Sequence, residues 1–473
     1  MLLKRNYKLA DMIHNLWKLG APTILEQAFQ TLVQYIDIAM VGQIGAVASA
    51  AVGLTLSVSW MINGPFFALG LGILAFISRS LGAECPKDAR LASVQSVWIA
   101  LFLGIVVGAL AVGVSPLLPS WMGAAEEIRK SASLYFGIVA TPMIFRSASI
   151  IFASVLRSSG DSKSPMVVNI VMNLVNICLN LLLIGPTSVH TVAGLTLKVW
   201  GAGLGVAGAA IATAFAYVVG GSLMFIQIMR NPVLTLKGMS MKLEPRILKA
   251  CFTIGLPVLA ERTVVSLGQI VFTSFVAGLG TIATAAHSIA LIAEEAIYVP
   301  GYGIQAAVST LAGNALGRNS KEEFHLVLRA ALAITVPIMS FMALFMFLIP
   351  KVIIGIFSAD PQVVQLGAEM LRIIAVSEPI FAIFIVMEGL FNGLGDTIVP
   401  FIYSSACIWF VRVLWTYIFV CRLGYGLSAA WLCMVADNVV RCVLLVLRYY
   451  RKRWHRYFLP DSEEVTAPSY HAP

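Results

Sequence analysis

The sequence predicts an all-α integral membrane protein: twelve transmembrane helices in two pseudo-symmetric six-helix bundles, with both termini cytoplasmic. Two observations carry this prediction. The chain has 473 residues, of which 59% are hydrophobic and only 12% charged, with a mean hydropathy of +0.89. A soluble chain carries roughly twice that charged share, so lipid is the solvent for most of this surface. The chain also matches itself after 235 residues, without a gap, from its first apolar segment into its fifth. Gly20, Pro22, Glu26, Gln34 and Gly45 return as Gly255, Pro257, Glu261, Gln269 and Gly280. Pro65, Leu81 and Gly82 return as Pro300, Leu316 and Gly317, and Gly160, Asp161 and Pro165 as Gly395, Asp396 and Pro400.

Apolar stretches of about 20 residues, enough to cross a bilayer, centre within 16–40, 50–78, 92–116, 130–156, 164–184, 203–228, 248–276, 286–312, 327–349, 363–391, 398–420 and 427–447. The basic residues set the orientation. Lys4, Arg5, Lys8 and Lys18 precede or open the first span, and Arg79, Lys87 and Arg90 follow the second. Arg157 and Lys163 follow the fourth, and Arg230, Lys237, Lys242, Arg246 and Lys249 the sixth. Arg318, Lys321 and Arg329 follow the eighth, and Arg448, Arg451, Lys452, Arg453 and Arg456 the last. The opposite side has only Arg129, Lys130, Lys198, Lys351 and Arg422. The positive-inside rule therefore places both ends in the cytoplasm.

Six spans per half make the repeat parallel, related by an axis along the membrane normal. The expected organisation is an N-terminal lobe over 1–228, a cytoplasmic linker over 229–247, a C-terminal lobe over 248–458 and a disordered tail over 459–473. The first span lacks a small-residue cleavage pattern and reads as a retained helix. The net charge of +9 is a topology and headgroup signal; no nucleic-acid partner is expected. The seven cysteines lie mostly in apolar runs without paired spacing and read as small core residues. No glycine precedes a lysine, so there is no Walker A loop, and HExxH, CxxC and GxSxG are absent. A chain built from two related membrane halves usually moves something between them. Its energy then comes from an ion gradient, or the movement is passive.

Ionisable groups inside membrane helices are costly and usually face a cavity or a partner. The first helix carries Glu26, Gln30, Gln34 and Asp37 on one face, and the fifth carries Asn169, Asn173, Asn176 and Asn180 on one face. Thr213 and, one turn on, Tyr217 join them from the sixth. Carboxylate, amide and hydroxyl oxygens suit a hard cation; alternatively, Asp37 in an apolar cavity binds a proton. An asparagine stripe also serves simply to hold neighbouring helices together. At the 235 offset Asp37 becomes Phe272, Asn176 becomes Val411 and Asn180 becomes Trp415. Shared residues such as Glu26 and Glu261 thus point to architecture, with bracing and functional roles both open for these two. Unshared ones point to a specific site: Asp37, Asn176, Asn180 and Thr213 for the ion.

The C-terminal half has its own carboxylates, Glu294, Glu295, Glu378 and Glu388. Glu369 with Arg372, and Asp437 with Arg441, have the spacing of helical salt bridges. Glu294, Glu295 and Glu388 form either an anionic wall for a cationic substrate or a second proton site. Arg146, Arg262, Arg372, Arg412 and Arg441 would partly neutralise such a wall. Glu26, Gln34, Tyr217, Glu261, Glu294, Glu295 and Glu388 therefore rank second, as cavity residues. Pro22 removes one backbone hydrogen bond from the first helix and is the expected hinge.

At these residues the chain resembles the multidrug and toxic compound extrusion (MATE) transporters, over nearly all of 10–450. The likeness rests on Leu19-Gly20-Ala21-Pro22 through Tyr35-Ile36-Asp37-Ile38-Ala39-Met40-Val41-Gly42. It rests also on Gly160-Asp161-Ser162-Lys163-Ser164-Pro165, on Gly395-Asp396-Thr397-Ile398-Val399-Pro400 and on Gly208-Ala209-Ala210-Ile211-Ala212-Thr213. The resemblance implies a plasma-membrane antiporter that exports cationic amphipathic compounds by alternating access in exchange for Na⁺ or H⁺, with no cofactor and as a monomer. It maps an ion site onto Asp37, Asn176 and Thr213, and puts Asn180 where that branch of the family has an aspartate. Other branches place acids on helices 7 and 10, where this chain has Glu261 and Glu388. The runner-up reading is a lipid or lipid-linked oligosaccharide flippase of related fold, which predicts a wide basic cleft. A membrane-embedded enzyme would need clustered histidines and acids, and only His287 lies near a helix core.

Overall fold

A computed structural model describes residues 8–192 and 195–459. Residues 460–473 of the expected tail, and Lys4 and Arg5, lie outside the described residues. The chain begins with α1 (Leu9–Gly42), α2 (Ala46–Gly82), α3 (Pro86–Val114) and the short α4 (Leu118–Trp121). Then come α5 (Glu126–Ala140), α6 (Met143–Ser158), α7 (Lys163–Leu183), the strands β1 (Pro186–Val192) and β2 (Leu195–Ala202), and α8 (Gly205–Arg230). Next follow α9 (Pro245–Ala277), α10 (Thr281–Gly317), α11 (Lys321–Leu348), α12 (Pro350–Gly355), α13 (Pro361–Ala375) and α14 (Glu378–Leu394). Last come α15 (Ile398–Ala406), a π-helical stretch Cys407–Val413, α16 (Leu414–Thr416), a second π-helical stretch Tyr417–Arg422, α17 (Leu427–Tyr450) and a 3₁₀ turn Arg453–Tyr457.

Among the described residues nine helices are long and apolar enough to cross a membrane, and up to eleven if each of two bent pairs counts as one span. The pairs are α5 with α6, bent by 55°, and α13 with α14, bent by 54°. Pro142 lies in the first break and Pro379 just past the second, where a missing N–H and the ring's bulk interrupt the hydrogen-bond ladder. α1, which carries the polar stripe, is not among the nine. The all-α expectation missed one feature: residues 186–202 form an antiparallel hairpin in which Ser188 pairs with Val199 and Val192 with Leu195. Its alternating β-branched residues suit a pleated ribbon.

The chain divides into two compact units. One comprises Leu25–Ile73 and Lys87–Leu248, the other Met1–Ile24, Leu74–Pro86 and Lys249–Pro473. In the first, α8 is the hub and packs on α5, α6 and α7. Small residues allow this: a Cβ at Gly208 would lie 2.4 Å from the Leu183 carbonyl oxygen, and one at Gly221 would lie 2.4 Å from that of Phe145. Lipid offers no hydrophobic drive between helices, so such close backbone approach is how they gain contact. The segment 231–244 is tied to α3: Arg90 donates to the carbonyls of Thr235 and Lys237, Gln95 to Lys242 and Trp98 to Met241.

In the second unit α10 is the hub, against α11, α13 and α14. The C-terminal end of α2 belongs to this unit and crosses α10 around Gly82 and Gly317, which stand 235 residues apart. The Cβ of Ser78 is 2.8 Å from where a Gly313 Cβ would be. A Cβ at Gly82 would lie 2.2 Å from the Asn314 carbonyl oxygen, and one at Gly317 would lie 2.1 Å from that of Arg79. The last two contacts are reciprocal, since the 235 offset carries Gly82 onto Gly317 and Arg79 onto Asn314, and only glycine fits them. The motifs Gly160-Asp161 and Gly395-Asp396 end α6 and α14 with glycines at φ 85° and 78°, the left-handed cap that terminates a helix without strain. All seven cysteines are free.

Gly317→Val is therefore expected to destabilise the purified protein by about 1–3 kcal/mol or more. Gly355→Ala, where a Cβ meets nothing within 4 Å, serves as control. Thermal unfolding in detergent reads the difference, and equal transitions for the two variants would contradict the crossing.

Candidate functional site

In the first unit α1 and α7 run parallel in a fixed register, with side chains 143 positions apart in contact. At one end Asn169 Nδ2 donates to Glu26 Oε1 at 2.7 Å, and Arg157 Nη2 reaches both Glu26 oxygens at 2.7 Å. Eleven residues along both helices, Asn180 Nδ2 donates to Asp37 Oδ1 at 2.7 Å. The expected asparagine stripe thus divides in two. Its Asn169 end braces a neutralised ion pair, while Asn176 and Asn180 attend the half-buried Asp37. Asn173, between them, leaves its amide nitrogen buried without a partner.

Asn176 completes the polar group. Its amide lies 2.9 and 3.0 Å from the two Asp37 oxygens and 3.3 Å from Thr213 Oγ1. Turned with nitrogen toward Asp37, it donates to the carboxylate and accepts from Thr213. Turned the other way, it donates to Thr213, and its oxygen joins both Asp37 oxygens. Which way an amide points is an assignment made from its hydrogen bonds. The two settings suit two chemical states: an ionised Asp37 solvated by amide N–H groups, or an oxygen cluster closed by a proton or a small cation. Asn180 Oδ1, buried without a partner, is one more oxygen for the second state. Thr213 is held by its bond to the Ala209 carbonyl at 3.0 Å.

Sequence reasoning missed Tyr135 on α5. Its hydroxyl bonds to Thr213 and is within electrostatic reach of Asp37 and Tyr217. It packs, with Met40 and Val206, on a small apolar cluster of Val41, Ala48, Val52, Ile184 and Ala209. Tyr135 stands outside any polar stripe, so only packing reveals it. Tyr217 in turn carries the Arg146 guanidinium 4.7 Å above its ring, and Arg146 Nε donates to Asn63 Oδ1 at 3.1 Å. Arg146 therefore belongs with this site, and not with the C-terminal acids. Gln34 is exposed. Pro22 is buried, and α1 runs helical through it.

The second unit repeats the scaffold with other chemistry. α9 pairs with α15 and the π-helical stretch after it at the same interval of 143: Thr397 donates to the Ile254 carbonyl and Arg412 to Gln269. Glu261 hydrogen-bonds Ser404, the positional counterpart of Glu26 with Asn169. Where the first unit has its Asp37 group, this one has Phe272 and a closed ionic knot. Asp437 is held bidentately by Arg441, at 2.7 Å twice, as their helical spacing predicts, and by Arg412 at 2.8 Å. Arg412 also reaches Asn438 at 3.3 Å. His287 is wedged 5.7 Å from both the Phe272 and Trp431 rings.

The other acids split. Glu388 hydrogen-bonds Gln305 and lies beside Glu261, Arg262 and Arg441. The Tyr298 hydroxyl donates to Glu294, and buried Glu378 stands next to both. Glu295 is exposed. Glu369 and Arg372 do not follow their expected pairing: Glu369 accepts from Gln365 at 3.1 Å, and Arg372 donates to the Phe347 carbonyl at 3.4 Å. The three-residue spacing permits a pair without requiring one, and each side chain has a nearer partner. Among the described residues no group of three or more His, Cys, Asp and Glu could hold a metal ion.

The sequence model of the MatE family matches residues 22–182 and again 257–418. The chain belongs to the MatE family. Membership makes it a multi-pass plasma-membrane protein of a transporter family. Over 98% of both chains it is 27% identical to the probable multidrug resistance protein NorM of Thermotoga maritima. It is 21% identical to the multidrug export protein MepA of Staphylococcus saprophyticus, over 94% of this chain and 96% of that one. The MatE fold is seen also in an outward-facing multidrug resistance MATE family transporter of the MOP superfamily, which superposes with a TM-score of 0.85 at 22% identity, over 96% of this chain and 99% of that one.

The Glu26–Arg157 pair is a structural clamp in this arrangement. Arg157→Ala strands a buried carboxylate and is expected to cost on the order of 3–5 kcal/mol. Arg157→Lys retains charge but loses the two-oxygen contact and falls between. Thermal unfolding of the purified variants measures the order.

Proposed function

We propose that the protein is a cation-coupled antiporter that exports cationic amphipathic compounds by alternating access, with Asp37 as the carrier of the coupling ion, Na⁺ or H⁺. The observation that carries this reading is the asymmetry around Asp37. It is an intramembrane carboxylate held by neutral amides alone, while Glu26 and Asp437 are each matched by arginine. A carboxylate without a fixed counter-ion can exchange one; a carboxylate locked to arginine cannot. The Asn176 amide supports the same reading, because rotating it converts a donor-lined site into an oxygen-lined one. The missing second carboxylate at Asn180 favours a singly charged ion taken one at a time.

On this reading the twelve spans are α1, the eight further unbent spans, the two bent pairs and the broken helix that starts at α15. Both termini are cytoplasmic, and the halves 1–228 and 248–458 are the moving bodies. Pro22 is the hinge that lets α1 respond to the state of Asp37. Coupling of this kind needs a differential affinity between states of about 1–3 kcal/mol. The exported compounds are those that the relatives' names suggest, drugs and toxic amphiphiles. A flippase with a wide basic cleft is disfavoured, since Arg412 and Arg441 are both tied up in ion pairs with Asp437.

Asp37→Asn is expected to insert and fold normally and to abolish export of a fluorescent organic cation from loaded proteoliposomes, whichever gradient is applied. Imposing Na⁺ and H⁺ gradients separately on the parent protein identifies the ion. Full export by the Asn variant would remove Asp37 from the mechanism.

A further inference from the structure

We propose that Arg146 anchors an anionic group of the transported compound, so that an amphipathic compound carrying a carboxylate binds more tightly than the same compound without it. The inference rests on the transport reading above and deepens it by naming the substrate class. Arg146 sits on α6, half-buried within a segment expected to span the membrane. Among the described residues no carboxylate forms a salt bridge with it. An arginine kept in hydrocarbon without a counter-charge is costly, and such residues mark substrate or ion paths.

The surroundings of Arg146 orient it without neutralising it. Asn63 Oδ1 takes Nε at 3.1 Å, and Asn63 is itself fixed because its Nδ2 donates to the Ser59 carbonyl at 2.8 Å. The Tyr217 ring lies 4.7 Å from the guanidinium carbon and holds its plane. With Nε engaged by a neutral acceptor, the Nη1–Nη2 edge is the one left for a ligand. That edge presents parallel donors matched to a carboxylate. The rest of the repeat has no equivalent: the position 235 residues on from Arg146 is Phe381. Like Asp37, Arg146 is therefore a feature of one half only.

The anchor is joined to the ion site. Tyr217 lies one turn beyond Thr213 on α8, and Tyr135, bonded to Thr213, is within electrostatic reach of both Tyr217 and Asp37. Asn63, Arg146, Tyr217, Tyr135, Thr213 and Asp37 form one polar track across α2, α6, α8, α5 and α1. A carboxylate arriving at Arg146 and a cation arriving at Asp37 load opposite ends of that track. Both ends of that track lie within a single unit.

The test uses a pair of fluorescent xanthylium dyes, one with a free benzoate and the other its methyl ester, which keeps the cation and loses the negative charge. Equilibrium binding to the purified full-length protein is measured by fluorescence anisotropy, independently of any transport assay. The parent is expected to bind the benzoate dye about tenfold more tightly than the ester, the worth of one charge-assisted contact. Arg146→Gln brings that ratio close to one. Arg146→Lys, which keeps charge without the fork, falls between. Asn63→Leu, which keeps the guanidinium but releases Nε, also lowers the ratio and covers the case that the Gln variant does not fold. Equal affinities in the parent, or a ratio unchanged in Arg146→Gln or Asn63→Leu, would overturn the assignment. Efflux of the two dyes from proteoliposomes is read alongside. Failure of efflux with the binding ratio intact would count against the transport reading and leave the anchor standing.

Discussion

A charge carried into hydrocarbon must find its compensation inside the chain, and the placement of polar residues in this protein follows from that constraint. Glu26 is answered by Arg157 and Asn169, Asp396 by Arg448, and Asp437 by two arginines. Each of these is complete in itself and works as structure. Asp37 is answered only by neutral amides, and Arg146 only by an amide oxygen and an aromatic face. The two incomplete charges lie on the same unit, are joined by tyrosines and a threonine, and have no counterparts in the other half.

The halves are alike where helices must touch and unlike where chemistry is done. α1 against α7, and α9 against α15 with its π-helical continuation, keep one register because their closest side chains are shared or interchangeable: Glu26 with Asn169, Glu261 with Ser404. At the level of Asp37 the second unit substitutes Phe272, and Arg412 serves as a tethered cation bound by Gln269, Asn438 and Asp437. A fixed guanidinium there leaves no vacancy for an exchangeable ion. The π-helical stretch that contains Arg412 turns the helix face by part of a residue step, a distortion often found at functional positions.

Much of the fold could be read from composition and repeat alone. Spans, their order and the matched glycines, Gly82 and Gly317 among them, are encoded by runs of apolar residues and by local rules. The polar stripe on α1 and α7 was legible through its helical period. Tyr135 was not, because a lone tyrosine in an apolar helix has no periodic signal. Arg146 was visible, but its partners Asn63 and Tyr217 come from two other helices. The expected Glu369–Arg372 pair failed for a related reason: sequence spacing states what a helix permits, while neighbouring carbonyls and amides decide which contact forms.

By itself the sequence determined that this is a two-halved membrane protein, and that Asp37 meets a phenylalanine, Phe272, at the matching position of the second half. Both are consequences of hydrophobic length, repeat period and side-chain identity, which act along the chain. Only the tertiary structure decided which buried charges are closed and which are open. Pairing in a low-dielectric interior depends on distances between helices far apart in sequence, and a displacement of one helical turn exchanges a salt bridge for a binding site.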